Sequence, residues 1–350
     1  MTKYILAIVK IMVFSIIITS CNKGNVVDYK QNLTKIKCEF LPINELIGNP
    51  NEIVVNDNLL IYVDTYENLL LSVYDIIKDS FSGRYLSRGI GPGEATLPLR
   101  LFPSDQRNQI YTYQPNTSIL STVSLPDFRL TNLVQFTVKN SWMPLAVKKT
   151  KDFFICSGIF ENGIFGFCDQ DFNSFFEGGK NPFDGDKRDR MEASVVYQGS
   201  LCTNLANNKF AFGCVYSDYL AFYEIKENEL VVKKEYFSKD ANVMFGSRTL
   251  DGGGTTFRLS QKDDTVINYS RSFGSETYCY MLFSGKTYEE HGKRSEGGNY
   301  IIVFDWDGNH IRSFQSDYEI FYFYIDEENN LMYAIVRGDD GEKNIAKFKL

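Results

Sequence analysis

The chain has 350 residues and a formal net charge of −7, and its 22 Tyr and 28 Phe stand beside only 9 Pro. A protein that binds nucleic acid by charge needs a basic face that displaces phosphate counterions, so this balance argues against a nucleic-acid partner and against adhesion to anionic lipid by charge. Abundant aromatic and β-branched residues among frequent Gly, Asn and Asp favour strands joined by tight turns.

The N-terminal segment has the features of a secretory signal peptide. Two lysines within residues 1–10 precede an apolar run over 11–18 and then a pair of small residues. The run is far shorter than the roughly 20 residues that span a bilayer, which makes a membrane-spanning helix the weaker alternative. The quartet 18–21 (Ile-Thr-Ser-Cys) resembles the lipobox of bacterial lipoproteins, and this implies that Cys21 is acylated and begins the mature chain. We therefore expect a signal peptide over 1–20, a tether over 21–32 and a globular body over 33–350, with the lipid in a cell-envelope membrane, the outer membrane by preference.

Six cysteines remain after Cys21, and an even number in an exported chain permits disulfides. Two pairs are each 12 residues apart across a turn: Cys156 with Cys168, and Cys202 with Cys214. Disulfides across hairpins and free buried thiols are both open, and free buried cysteine is the commoner case. No C-x-x-C spacing is present, so we expect no metal site of cysteine ligands and no cofactor.

Short aromatic or β-branched runs bounded by turn residues repeat along the chain. The two cysteine pairs are offset by 46 residues, and periods of 40 to 50 residues with several strands each are typical of propeller blades. Counting the runs gives six units, over 52–89, 99–138, 144–179, 197–237, 265–317 and 319–350. The sixth unit has three strands, and the run 35–41 supplies its fourth, outer strand. The sequence thus predicts an all-β fold, a six-bladed β-propeller of four-stranded antiparallel blades closed by an N-terminal strand, with seven blades as the main alternative.

Three stretches also resemble a known family: 87–94 (Ser-Arg-Gly-Ile-Gly-Pro-Gly-Glu), 157–163 and the ending over 325–334. They are similar to the TolB-like six-bladed β-propeller lipoproteins of bacteria. The resemblance implies an exported propeller and brings no established catalytic residues.

The Gly-Pro-Gly-Glu loop is the most specific of these stretches. Gly89, Gly91 and Gly93 could cradle an anion, but the Lys and Ser/Thr of a P-loop are lacking. The preferred interpretation is structural: the glycines permit positive φ between blades one and two, Gly91 among them, and Arg88 pairs with Glu94 across the loop.

Other candidate motifs have ordinary structural explanations. The segment 305–309 (Asp-Trp-Asp-Gly-Asn) suggests calcium, but Asp-Gly between strands is a common hairpin turn. The mixed-charge run 184–190 is expected to be a solvated loop. His291 and His310 do not stand in a recognisable nucleophile setting.

Geometry predicts where a binding site would be. In a four-stranded blade, the loop between strands two and three and the connection to the next blade emerge on the same face, and aromatic and arginine residues are the usual anchors of recognition. Candidates on that face are Tyr66, Arg88, Glu94, Trp142, Glu161, Arg188, Tyr216 and Arg248. We expect a non-catalytic binding or scaffold module for a peptide, a glycan or an envelope protein. The alternative is a calcium-dependent, lactonase-like hydrolase with carboxylates from several blades converging at the axis.

Overall fold

The computed structural model describes residues 26–43, 45, 47–65, 68–139, 142–182, 188–249 and 255–350, without the side chains of 247–249 and 255–257. The predicted signal peptide, Cys21 and Tyr66 therefore lie outside the described residues. No helix in these ranges is long and apolar enough to cross a membrane.

Six blades of four antiparallel strands surround a central axis, as predicted. The chain begins with β1 (Leu33–Ile36) and β2 (Cys38–Phe40). Blade one contains β3 (Asn51–Asn56), β4 (Leu59–Val63), β5 (Leu69–Asp75) and β6 (Ser80–Ser87). Blade two contains β7 (Arg100–Pro103), β8 (Gln109–Gln114), β9 (Ile119–Ser124) and β10 (Arg129–Gln135), and is followed by the short helix α1 (Phe136–Lys139). Blade three contains β11 (Met143–Lys149), β12 (Phe153–Ile159), β13 (Phe165–Asp169) and β14 (Phe175–Gly178), and is followed by α2 (Arg190–Val196).

The second half of the ring has one addition to this pattern. Blade four contains β15 (Gly199–Thr203), β16 (Lys209–Cys214), β17 (Leu220–Lys226) and β18 (Glu229–Tyr236). A separate two-stranded hairpin follows, β19 (Val243–Thr249) and β20 (Thr255–Gln261). Blades five and six contain β21 (Tyr269–Gly274), β22 (Tyr278–Phe283), β23 (Gly298–Asp305), β24 (His310–Asp326), β25 (Leu331–Arg337) and β26 (Lys343–Lys349). The first half of β24 pairs with β23 as the outer strand of blade five, and its second half pairs with β25 as the inner strand of blade six.

The N-terminal strand closes the ring. Strand β2 pairs antiparallel with β26, with Cys38 opposite Phe348, and so completes blade six. The predicted run 35–41 is divided in the structure, because Leu33–Ile36 pairs instead in parallel with β24 and widens blade five. The body also begins before residue 33. Tyr29, inside the predicted tether, packs against two aromatic rings of blade five, with ring centroids 4.8 Å from Phe283 and 5.0 Å from Tyr300.

Burial on both faces of the middle strands explains why the sequence forms blades. In β5, six of seven residues are buried, whereas the outer strand β6 is mostly exposed or half-buried. Neighbouring blades pack face to face through aromatic rings, as where Phe165 of blade three meets Phe210 and Phe212 of blade four at 5.2 Å. Each such ring removes a large apolar area from water, and edge-to-face contacts add to that gain.

The 46-residue cysteine offset is not a blade repeat. Cys156 lies on the second strand of blade three, whereas Cys202 lies on the first strand of blade four. The long connection 179–198, which holds α2, lies between blades three and four. Because of its length, positions 46 residues apart do not occupy equivalent strands in the two blades. The four cysteines of these two pairs are also free thiols, and Cys156 lies opposite Gly166 and Cys202 opposite Ala211 across their hairpins.

The two ends of the ring differ in their loops. Turns at the lower end are short, as between β17 and β18, where Glu227 and Asn228 both have positive φ in the manner of a type I′ hairpin. The upper face, defined by the loops between second and third strands and by the connections between blades, holds α1, α2 and the β19–β20 hairpin. Long upper loops on a rigid ring are the usual place for a binding function.

Candidate functional site: the axial channel

The innermost strands of all six blades enclose a cavity of about 310 Å³ on the axis. This volume lies at the lower end of the range for small-molecule sites. A smaller cavity of about 30 Å³ lies below it, beside Pro103, Thr203 and Gly274 at the ends of the inner strands. The ring therefore narrows towards its lower end, and the space for a ligand lies in the upper and middle channel.

The wall of this axial channel is apolar in its upper part. Side chains from the inner strands, the second strand of blade four and the upper loops supply it: Leu145, Ile164, Phe212, Val215 and Phe323. Helix α2 adds Ala193, Ser194 and the following Tyr197 at the mouth. Asp189 caps this helix by accepting the N–H of Glu192 at 2.8 Å. Arg188 then fixes the helix start, donating to the Tyr197 hydroxyl at 2.7 Å and to Asp240 at 3.2 Å.

Four charged side chains from four blades line the channel: Glu52, Arg100, Lys148 and Arg271. Arg100 Nη1 donates to Glu52 Oε1 at 2.7 Å, and this carboxylate raises the pKa of Arg100. Arg271 Nη2 donates to the Tyr322 hydroxyl at 2.7 Å, with the guanidinium 4.3 Å from the centre of that ring. Tyr322 also contributes to the raised pKa of Arg100, so the two pairs are close enough to link blades one, two, five and six across the axis.

Lys148 has the weakest set of partners among these charges. Its Nζ lies 3.4 Å from the Leu101 carbonyl oxygen and 5.2 Å from the centre of the Phe102 ring. Burial lowers the pKa of Lys148. The Glu52 carboxylate opposes this effect in part, and the neighbouring Arg100 and Arg271 charges lower the pKa by smaller amounts.

Two polar atoms at the channel wall have no hydrogen-bond partner among the described residues. They are the Ser270 hydroxyl and the Arg271 Nε. Ser270 is only 3% exposed and lines the cavity. Buried polar groups are nearly always satisfied, so an orphaned pair at a cavity wall needs a further partner, either water or a ligand.

The sequence-predicted face residues were compared with the lining of this channel. Of the six whose side chains the structure describes, none lines the cavity. Trp142 is buried among Phe136, Phe160 and Phe175, and its Nε1 donates to Glu177 at 2.7 Å.

The remaining candidates are spread over the upper face. Tyr216 is buried and accepts a hydrogen bond from Gln261 of the hairpin at 2.7 Å. Arg188 supports α2, whereas Arg88 and Glu161 are exposed. The side chain of Arg248 lies outside the described residues, as does Tyr66. The binding role of these residues stays a prediction.

The Gly-Pro-Gly-Glu loop is structural in a different way from the one expected. Positive φ occurs at Gly93, at +78°, and not at Gly91. Glu94 folds back, so that its Oε2 accepts the N–H of Gly91 at 2.8 Å. A Cβ added at Gly89 would overlap this carboxylate, and one at Gly91 would lie 2.9 Å from it. A side chain at either position would therefore have to displace the Glu94 carboxylate, which occupies the space above the loop.

Two further motifs have structural partners. Asp305 accepts the N–H groups of Asp307 and Asn309 in a turn with Gly308 at φ +85°. His291 is buried, with Nδ1 3.2 Å from Glu319 and Nε2 3.1 Å from the Gly297 carbonyl oxygen. These contacts assign both segments to the framework of the ring.

The fold and its channel define the protein as a six-bladed β-propeller. A profile of the TolB-like 6-blade propeller-like family matches residues 29–328, and the chain belongs to this family. No curated protein matches the sequence.

Solved structures with the same architecture include two Bacteroides proteins. A protein of Bacteroides fragilis predicted to be exported has 14% identity and a TM-score of 0.55, with 93% of this chain and 97% of that one covered. A DUF4221-family member from Bacteroides vulgatus has 13% identity and a TM-score of 0.54, with 91% and 98% covered. The calcium-binding protein regucalcin of Agrobacterium tumefaciens has 10% identity and a TM-score of 0.51, with 91% and 96% covered. At these identities the likeness establishes the fold alone.

The channel residues could have been noticed in the sequence. Arg100, Lys148 and Arg271 each lie in or at the start of the first strand of a predicted unit, next to apolar or small residues. A charge in the innermost strand of a propeller blade faces the axis or must be buried. That signal identifies single residues, but it does not show that they converge.

Proposed function

We propose that the protein is a lipid-anchored, non-catalytic binding module of the cell envelope, and that its ligand enters the axial channel from the upper face. The supporting observation is a cavity of about 310 Å³ lined by all six inner strands, with apolar walls and a few polar groups that lack partners. The channel accommodates a small molecule or the end of a peptide or glycan. A larger envelope protein would contact the upper loops around it.

Export is supported by the predicted exported neighbour and by the signal-like segment before Cys21. Acylation of Cys21 and residence in the outer membrane are the finer parts of the proposal. They rest on the sequence around Cys21.

The calcium-dependent alternative has less support. Calcium takes six to eight oxygen ligands, largely carboxylates and carbonyls. Among the described residues, Glu52 is the single carboxylate of the channel lining, and it is paired with Arg100. No group of three or more His, Cys, Asp or Glu suited to a metal occurs among the described residues.

A channel-filling variant tests the proposal. The chain and its Ala146→Phe variant, in which a ring occupies the cavity wall, are incubated with the low-mass fraction of the native cell envelope. Compounds released on unfolding are identified by mass spectrometry. Val232→Phe, on the exposed outer strand of blade four, is the matched control.

We expect one class of compound to be enriched on the parent and on Val232→Phe but lost from Ala146→Phe. No enrichment on the parent, or equal enrichment on all three proteins, would contradict a binding site in the channel.

A further inference from the structure

The sign of charge in the axial channel is opposite to that of the whole protein. Three cations, Arg100, Lys148 and Arg271, face one carboxylate, Glu52, which leaves two positive charges in the lining. The complete chain has a formal charge of −7. A low-dielectric cavity with an excess of one sign concentrates ligands of the other.

The excess positive charge is located on Lys148 and Arg271. The Glu52 carboxylate is matched by Arg100 at 2.7 Å. Lys148 has only a carbonyl oxygen at 3.4 Å and a ring face among the described residues. Arg271 is 3.6 Å from Glu296, a carboxylate outside the lining that Lys343 also approaches at 3.9 Å. Its other donors reach the Ser270 carbonyl oxygen and the Tyr322 hydroxyl, both at 2.7 Å.

The unsatisfied donors lie at the same place. Ser270 Oγ and Arg271 Nε are buried without a partner in the described part of the chain, and Ser270 lines the cavity. An anionic oxygen accepts from a hydroxyl and from a guanidinium alike, and such charge-assisted hydrogen bonds are the stronger kind. A neutral ligand would leave the Lys148 charge uncompensated.

The rest of the cavity is mostly apolar. Leu145, Ile164 and Phe212 are among its walls, and two of its polar side chains, Ser200 and Ser272, are hydrogen-bonded to each other at 2.7 Å.

Resting on the proposed function, we infer that the axial channel binds a small amphipathic anion. Its carboxylate or phosphate head group is held by Lys148, Arg271 and the Ser270 hydroxyl, and its apolar part lies against the upper wall. Arg100 stays paired with Glu52 and sets the boundary of the polar region.

A pair of fluorescent probes of similar shape separates charge from hydrophobicity. Anilinonaphthalene sulfonate is anionic, and N-phenyl-1-naphthylamine is neutral. Both are titrated into the full chain with Cys21→Ala, so that neither lipid nor detergent competes. Octanoate, octyl phosphate and octanol are then used as competitors, and the stronger of the first two identifies the head group.

Charge variants supply the matched series. Lys148→Gln and Arg271→Gln should weaken binding of the anionic probe about tenfold, the loss expected for one charge-assisted hydrogen bond, and leave the neutral probe unchanged. Glu52→Gln should tighten anion binding because it frees Arg100. Lys148→Arg and Arg271→Lys keep the charge and should retain binding. Lys151→Gln, an exposed charge on blade three, should have no effect.

The outcomes distinguish the two proposals. If neither probe binds the parent, the binding function of the channel and this inference both fail. If both probes bind equally and Ala146→Phe removes both, the channel is a binding site but the anionic ligand class is wrong. Unchanged anion affinity in both Lys148→Gln and Arg271→Gln would also overturn the inference.

Discussion

Glu94 acts as a structural clamp on the loop between blades one and two. Its carboxylate takes the N–H of Gly91 and occupies the space in which a Gly89 side chain would lie. Gly89→Ala should therefore displace Glu94 and lose that hydrogen bond, at a cost of about 1 kcal/mol. Because both changes remove the same contact, the free-energy losses of Gly89→Ala and Glu94→Ala should not add in the double variant. Chemical denaturation of the four proteins measures this, and full additivity would contradict it.

Lys148 illustrates a cost of keeping a charge in the channel. Burial lowers the pKa of Lys148 in the folded protein below its ordinary value. At a pH between these two pKa values, the unfolded chain therefore binds more protons than the folded one. The charge thus destabilises the fold at neutral pH, and stability recovers as pH rises through that window. Lys148→Met should raise the melting temperature at pH 7, by an amount that shrinks towards alkaline pH.

The neighbouring lysine is the control for this prediction. Lys149 is buried but donates to Asp105 at 2.9 Å and to the carbonyl oxygens of Thr150 and Lys151. Lys149→Met should lower the melting temperature, because it removes a buried donor that serves all three of these acceptors. A lower melting temperature in Lys148→Met as well would show that Lys148 is a structural residue and not a strained one.

At the scale of elements, the N-terminal strands and the β19–β20 hairpin should differ in how much they contribute to the stability of the ring. Deleting 33–41 removes the partner of β26, exposes the edge of blade six and takes the buried Ile36 out of the core. Replacing 243–261 with a short Gly-Ser linker removes a two-stranded sheet outside the blades. The first deletion should lower the melting temperature far more than the second. Calorimetry of both variants checks this, and equal or reversed losses would contradict it.

The sequence predicts some elements better than others for physical reasons. Runs such as Leu69–Asp75 are buried on both faces and end at turn residues, so the blade strands were recognisable. The hairpin β19–β20 was not predicted, because apolar residues at exposed positions, such as Met244, break the alternation of apolar and polar residues that marks a strand. The run 251–254 (Asp-Gly-Gly-Gly) is nevertheless a turn signal. The channel could not be derived, because strand membership does not give radial position. Residues 52, 100, 148 and 271 meet only once the ring is closed.

At the scale of the whole molecule, the protein combines an acidic exterior with a cationic axis. The formal charge becomes −9 if residues 1–20 are removed, because Lys3 and Lys10 are their only charged side chains. The exterior then repels anionic membrane surfaces, while the channel attracts small anions that diffuse to its mouth. Such a body needs an attachment other than charge to stay at a membrane.

The lipid anchor that we propose at Cys21 is therefore a testable property of the whole protein. Replacing Cys21 with Ala should abolish acyl labelling and release the body from membranes, since the buried acyl chains and not a protein surface provide the affinity. Cys38→Ala, a change of the same kind in β2, should leave labelling and fractionation as in the parent. Membrane pellets washed with high salt and then with detergent separate charge adhesion from lipid anchoring. Retention of the Cys21→Ala protein in the salt-washed pellet would show that the body itself binds the membrane, and the lipid anchor would have to be abandoned.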